Sequence, residues 1–210
     1  MKIILTAVDA PLAYAWKSFC GDLDFVMIHR GSILDLECDA VVSPANSYGF
    51  MDGGIDAIYT NHFGRDLERR VRERIREHHH GELLVGAADI VATGNTQIPY
   101  MIIAPTMRVP MALENSVHPY LAARAVFLLG KHGVISDGPA KGTKVADAIG
   151  TIAIPGLGTG VGRVGANTCA HQVRQAINDV LLEQYRMPES FADASIRHQL
   201  LYREVPTRLQ

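Results

Sequence analysis

Two glycine-rich loops, Asn46-Ser47-Tyr48-Gly49-Phe50-Met51-Asp52-Gly53-Gly54 and Gly156-Leu157-Gly158-Thr159-Gly160-Val161-Gly162, each follow a short apolar run and precede a helical pattern. Glycine lacks a Cβ, so such loops bring main-chain N–H groups close to a ligand, and the helix that follows adds its own free donors. One loop of this kind fits many folds. Two, each at the C-terminal end of a Val/Ile/Ala-rich run, match the edge at which open α/β sheets bind ligands and read together as a phosphate cradle.

The 210 residues suffice for one substantial core, and no polar linker interrupts the apolar pattern. A single domain over 1–210 is expected, with 187–210 as a C-terminal extension. The formal net charge of -2 gives no overall attraction to polyanions, so any nucleic-acid contact needs a local patch. Cys20, Cys38 and Cys169 are scattered, without the close pairing of zinc or redox motifs, and fit buried thiols in a reducing cytoplasm. The amino terminus reaches Asp9 and Pro11 too soon for a signal-peptide core, and no apolar run approaches the ~20 residues of a membrane helix. A soluble, cytoplasmic chain without a membrane partner is therefore expected.

The residue pattern predicts strands at 3–7, 25–30 and 40–43, the last feeding the first loop, with Asp9 capping a helix that ends near Gly21. Helices are expected from Ile55 to Phe63, closed by Gly64, and over 65–79, where Leu67, Val71 and Ile75 share one face. Segments 89–93 and 100–104 read as a hairpin-like strand pair. A helix then starts at Asn115 or Ser116 and ends at Gly130 or Gly133, and 136–144 is the loop expected to be most mobile. Strand 151–155 enters the second loop, a long helix covers 166–182, and a short one follows Pro188. The predicted fold class is α/β, a three-layer α/β/α sandwich around a mixed, mostly parallel sheet.

Gly160-Val161-Gly162-Arg163-Val164-Gly165 formally fits the dinucleotide fingerprint, but the acidic residue at the end of a following strand is missing, since Asp179 and Glu183 fall inside a helix. No Gly-Lys-Ser/Thr follows either loop, and there is no G-x-S-x-G elbow. What remains resembles the macrodomain family. Ser43-Pro44-Ala45-Asn46, then Gly53-Gly54-Ile55-Asp56, resembles its Asn-Ala-Ala-Asn, glycines and Val-Asp order. Arg30-Gly31-Ser32-Ile33 is similar to its Gly-Asp-Ile element, and Ala153-Ile154-Pro155-Gly156-Leu157-Gly158-Thr159-Gly160-Val161 to its phosphate loop. The likeness runs from about Phe25 to Leu182.

The resemblance implies binding of ADP-ribose at the C-terminal edge of the sheet, and hydrolysis of an ADP-ribosyl linkage on a protein, a nucleic acid or a small molecule. The alternatives are a non-catalytic ADP-ribose or nucleotide reader, and a phosphatase or deacylase of an ADP-ribose derivative. It implies Asn46 and Asp56 as the catalytic pair. Ser32, Ile33, Tyr48, Phe50, Gly53, Gly54, Ile55, Gly158, Thr159, Gly160, Val161 and Gly162 would contact the ligand. No metal and no cofactor are expected, and nucleic acid enters only as a modified substrate. Ser32 replaces the acid that in many relatives accepts from the adenine amino group, leaving Asp9 or Asp35 as substitutes. Gly162 stands where hydrolases of the family often place an aromatic ring, which Tyr48 or Phe50 would then supply.

Plainer roles compete at several positions. Asp56 also suits a helix start electrostatically, at about 0.3–1 kcal/mol. His78-His79-His80 point in different directions on a helix and read as a solvated helix end rather than a metal site. Segment 65–77 has six arginines but also Asp66, Glu68, Glu73 and Glu77, so a face laced by pairs such as Asp66 to Arg70 and Glu68 to Arg72 is expected over a nucleic-acid strip. Thr106-Met107-Arg108, after the strand at 100–104, falls on the expected ligand edge, where Arg108 suits a phosphate or a surface carboxylate equally. Cys169 has no activating base nearby in sequence and is assigned to packing.

Overall fold

The computed structural model describes residues 1–207, so the last three residues of the expected C-terminal extension lie outside the described residues. Strands β1 (Lys2–Ala7), β2 (Val26–Arg30), β3 (Ala40–Ser43), β4 (Asp89–Ala92), β5 (Tyr100–Ile103) and β6 (Thr151–Ile154) form one sheet in the order β2-β1-β6-β3-β5-β4. Every neighbouring pair is parallel except β4 with β5, the hairpin-like pair. The mixed, mostly parallel sheet expected from the sequence is therefore present.

Parallel strands need both faces covered, and alternate residues divide cleanly between two cores. Ile3, Leu5, Val42, Ile102 and Ile154 pack with α1 (Ala10–Cys20), α4 (His118–His132) and α6 (Ala166–Ala176). Ile4, Val41, Met101, Ile103 and Ala153 face the other way, onto α2 (Gly54–Phe63) and α3 (Asp66–His78) through Tyr59, Leu67, Val71 and Ile75. The result is the α/β/α sandwich. A one-turn helix, α5 (Val145–Ala148), precedes β6, and α7 (Phe191–Leu200) lies in the C-terminal segment.

Local chemistry sets most boundaries. The Asp9 carboxylate accepts from Leu12 N–H at 2.9 Å, and Pro11 sits in the first turn of α1. Gly64 closes α2 with φ at 93°. Three details depart from the sequence reading. Helix α4 starts at His118, because the Ser116 hydroxyl donates to Leu113 C=O at 2.8 Å and holds a turn there. The long helix ends its α-helical part at Ala176 and continues as a π turn over Ile177–Leu181. The loop at 136–144 is fastened by Ile135 N–H to Thr143 C=O at 2.9 Å, Gly142 N–H to Ile135 C=O at 2.7 Å, and Ala140 N–H to the Tyr100 hydroxyl at 2.9 Å.

The sheet order matters most where β3 and β6 meet. Asp39 Oδ2 accepts from Gly150 N–H at 2.9 Å and Thr151 N–H at 2.8 Å, tying the start of one strand to the start of the other. The two glycine loops consequently leave adjacent parallel strands on the same edge of the sheet.

Candidate functional site

Both loops open onto one cavity of about 410 Å³ at the C-terminal ends of β1, β3, β5 and β6, within the size range of small-molecule sites. Ser32, Ile33, Asn46, Phe50, Gly53, Gly54, Ile55, Asp56 and the run from Gly158 to Gly162 all line it. Tyr48 does not. Its ring sits outside, 5.4 Å from the Arg108 guanidinium, on the solvent side of the first loop. Phe50 is therefore the ring available to the cavity.

The second loop is shaped by its own backbone. Gly158 adopts φ of 69°, and a Cβ at Gly162 would fall 2.5 Å from the Gly158 carbonyl oxygen, so this turn closes only on a residue without a side chain. The Gly162 carbonyl accepts from Leu113 N–H at 2.7 Å, and Val164 N–H donates to Gly158 C=O at 3.0 Å. Among the described residues, the N–H groups of Thr159, Gly160, Val161 and Gly162 have no protein acceptor. Four consecutive free donors beside a cavity form an anion-binding concavity. The first turn of α2 contributes more, because Gly53 supplies no side-chain cap and Gly54, Ile55 and Asp56 border the cavity.

The first loop is shaped by a side chain. Asn46 Oδ1 accepts from Tyr48 N–H at 3.1 Å and Phe50 N–H at 3.3 Å, while its Nδ2 donates to Phe50 C=O at 2.8 Å. Both acceptor positions and one donor hydrogen are thus committed to the loop, leaving one N–H for anything in the cavity. Ser47 N–H reaches the carbonyls of Met107 and Arg108 at 3.1 and 3.3 Å, which binds the loop to the segment after β5.

Asp56 is buried in the first turn of α2, where its Oδ1 accepts from the Ser43 hydroxyl at 2.6 Å. Loss of water raises its pKa to about 7, and the Ser43 hydrogen bond only partly offsets this. A carboxyl group bordering a cavity and titrating near neutrality can take up and release a proton at working pH, the property required of a general base or acid.

The remaining expectations resolve locally. Ser32 Oγ accepts from Leu34 N–H at 3.2 Å and caps a short 3₁₀ turn, Ile33–Asp35. Of the two adenine-side acids, Asp9 lines the cavity while serving as the α1 cap, and Asp35 does not line it. Arg108 pairs with Glu82 at 2.6 and 3.1 Å, holding that carboxyl below its usual pKa, so the surface carboxylate rather than the cavity takes it. Arg70 meets Asp66 at 3.2 Å as expected, but Arg72 lies over the Phe50 ring instead of pairing with Glu68. His79 of the histidine run turns to Asp89 at 2.7 Å, beside Arg74, and no metal-holding group occurs among the described residues. Cys169 is fully buried and its thiol is pushed up to about 12, as packing requires.

Thr106 and Met107, on the ligand edge expected after β5, border the cavity, and so do residues that sequence reasoning left out, Thr6 within β1, Val8 and Leu12 after it, and Pro110. Nothing local marks them. Their place follows from β1 and β5 flanking the β6 and β3 pair, a fact of strand order.

A family model described as Macro domain matches residues 42–173. An uncharacterized protein of Aquifex aeolicus is 28% identical over 152 residues, covering 72% of this chain and 80% of that protein. A structure of the Oceanobacillus iheyensis macrodomain with ADP aligns with a TM-score of 0.58 at 19% identity, covering 73% of this chain and 74% of that one. The Trypanosoma brucei macrodomain in complex with ADP-ribose aligns with a TM-score of 0.50 at 18% identity, covering 72% and 56% respectively. At these identities the structural likenesses concern the fold.

Proposed function

The chain belongs to the macro domain family, and from that premise we propose that it binds ADP-ribose across the two glycine loops and hydrolyses an ADP-ribosyl linkage. The observation that carries this reading is the run of four free N–H groups from Thr159 to Gly162, on residues that line the same cavity as Asp56. A diphosphate needs several converging donors, and a backbone loop supplies them without any side chain to reorganise. The known complexes of relatives with ADP and ADP-ribose support the choice of ligand.

With the diphosphate on the second loop, the distal ribose extends towards the first loop and the start of α2. Asp56 Oδ2, the oxygen not engaged by Ser43, takes a proton from a water attacking the anomeric carbon. The water oxygen forms the new bond, the bond to the modified group breaks, and that group leaves with the electron pair and gains a proton. Asn46 acts chiefly by holding Phe50 against the cavity, with its remaining N–H available to a ribose hydroxyl.

The test incubates the protein with ADP-ribosylated protein and nucleic acid, follows release of free ADP-ribose, and measures ADP-ribose binding by calorimetry. Asp56→Ala is expected to keep ADP-ribose affinity within a few-fold and to lose turnover on the order of 10²-fold. Binding without release from any substrate by the unaltered protein would make it a reader. Absence of ADP-ribose binding would remove the proposal altogether.

A further inference from the structure

Phe50 belongs to two cavities. The residue lines both the ligand cavity and an open groove of about 620 Å³ along α3. Four arginines line that groove, Arg65, Arg69, Arg72 and Arg76, against the carboxylates of Glu68 and Glu73. Their spacing of four, three and four residues puts them on one helix face, with ~4.5–6 Å of rise between successive members. Arg69 is held by Asp66 and Glu73 at 2.7 Å each, and among the described residues Arg76 pairs only with its exposed neighbour Glu77 at 3.2 Å. Arg65 and Arg72 have no carboxylate partner among the described residues, and the Arg72 guanidinium lies 4.3 Å from the centre of the Phe50 ring. Phe50 as a whole residue is 45% exposed.

Resting on the ADP-ribose reading, we propose that this groove receives the phosphodiester backbone of a single-stranded nucleic acid whose ADP-ribosyl group occupies the main cavity. Cations repeated along a groove beside a partly exposed aromatic residue are elements that bind single strands, the charges following the phosphates and a base stacking on the planar pair that Arg72 makes with Phe50. An acidic peptide would use the charges but offer no planar group to stack on the Arg72–Phe50 pair. Phe50 stands at the junction, where the modified nucleotide passes from one cavity to the other.

The test compares the unaltered protein with Arg65→Gln/Arg76→Gln, two exposed changes that touch neither Phe50 nor the main cavity. It measures fluorescence anisotropy of a labelled, unmodified single-stranded oligonucleotide across a salt series, calorimetry with free ADP-ribose, and competition by polyglutamate. The variant should bind the oligonucleotide about tenfold more weakly, and the slope of log affinity against log salt should fall by about 1.4 for two lost contacts. ADP-ribose affinity should not move. Failure of the unaltered protein to bind the oligonucleotide, equal binding by the variant, or displacement by polyglutamate as effective as by a second oligonucleotide would overturn the proposal. Oligonucleotide binding with this charge dependence but no ADP-ribose binding would sustain the groove and overturn the function proposed for the cavity.

Discussion

The first and second glycine loops occupy equivalent positions after neighbouring strands, yet they are built by opposite means. Residues 156–162 carry no ionisable side chain, and their shape comes from a left-handed backbone at Gly158 and a carbonyl approach at Gly162 that leaves no room for a Cβ. The first loop is folded by the amide of Asn46, displays Tyr48 and Phe50, and leads directly to the buried Asp56. A loop made of backbone offers fixed donors to whatever anion fits. A loop made of side chains can vary its contacts, its charge and its reach towards a second surface without disturbing its partner.

That contrast can be broken most sharply at Asp56. Its folded pKa of about 7 lies above the ordinary carboxyl value of 3.8, so folding favours the protonated form. The stabilising contribution is fully present below about pH 4 and is lost as pH rises to about 7. Asp56→Asn cannot titrate and can still accept from Ser43. Its stability relative to the unaltered protein should climb by a few kcal/mol between those values and level off above pH 7, read from denaturant titrations. Parallel curves would show that the first region stores no such group.

Gly162→Ala tests the second loop alone. Its Cβ meets the Gly158 carbonyl, so the four donors must shift, and ADP-ribose affinity should fall on the order of 10²-fold in calorimetry. An unchanged affinity would mean that the donors are not the diphosphate site. Asn46→Ala has the smallest expected effect. It removes three hydrogen bonds worth about 1 kcal/mol each at most, so about 2 kcal/mol of stability should be lost, with faster exchange of the Tyr48 and Phe50 amides. Affinity for ADP-ribose should drop less than for Gly162→Ala, and a larger drop would reverse the division of labour between the loops.

Much of the fold was legible because local signals and burial agree. Asp9 and Gly64 mark helix ends by their own chemistry, and the runs at β3 and β5 are apolar on both faces because helices cover the sheet on both. The glycine loops were legible for the same reason. Tyr48 was misplaced because sequence spacing says which residues share a loop but not which way a turned loop presents them. Arg72 escaped its expected partner because an aromatic ring from a distant segment competes with a neighbouring carboxylate. Thr6 and Val8 were invisible, since only the strand order brings them to the cavity.

The clamp from Asp39 to Gly150 spans 111 residues of sequence, and the whole cavity depends on the strand junction it fastens. During synthesis at ~5–20 residues per second, the first loop therefore waits on the order of ten seconds before its counterpart has even been made. Non-local closure of this kind is slow to form and leaves no functional half-product. On the proposed function binding requires both loops, so a nascent copy that stops short of Gly162 could not hold the ligand, and ligand binding would report that the last central strand has been inserted.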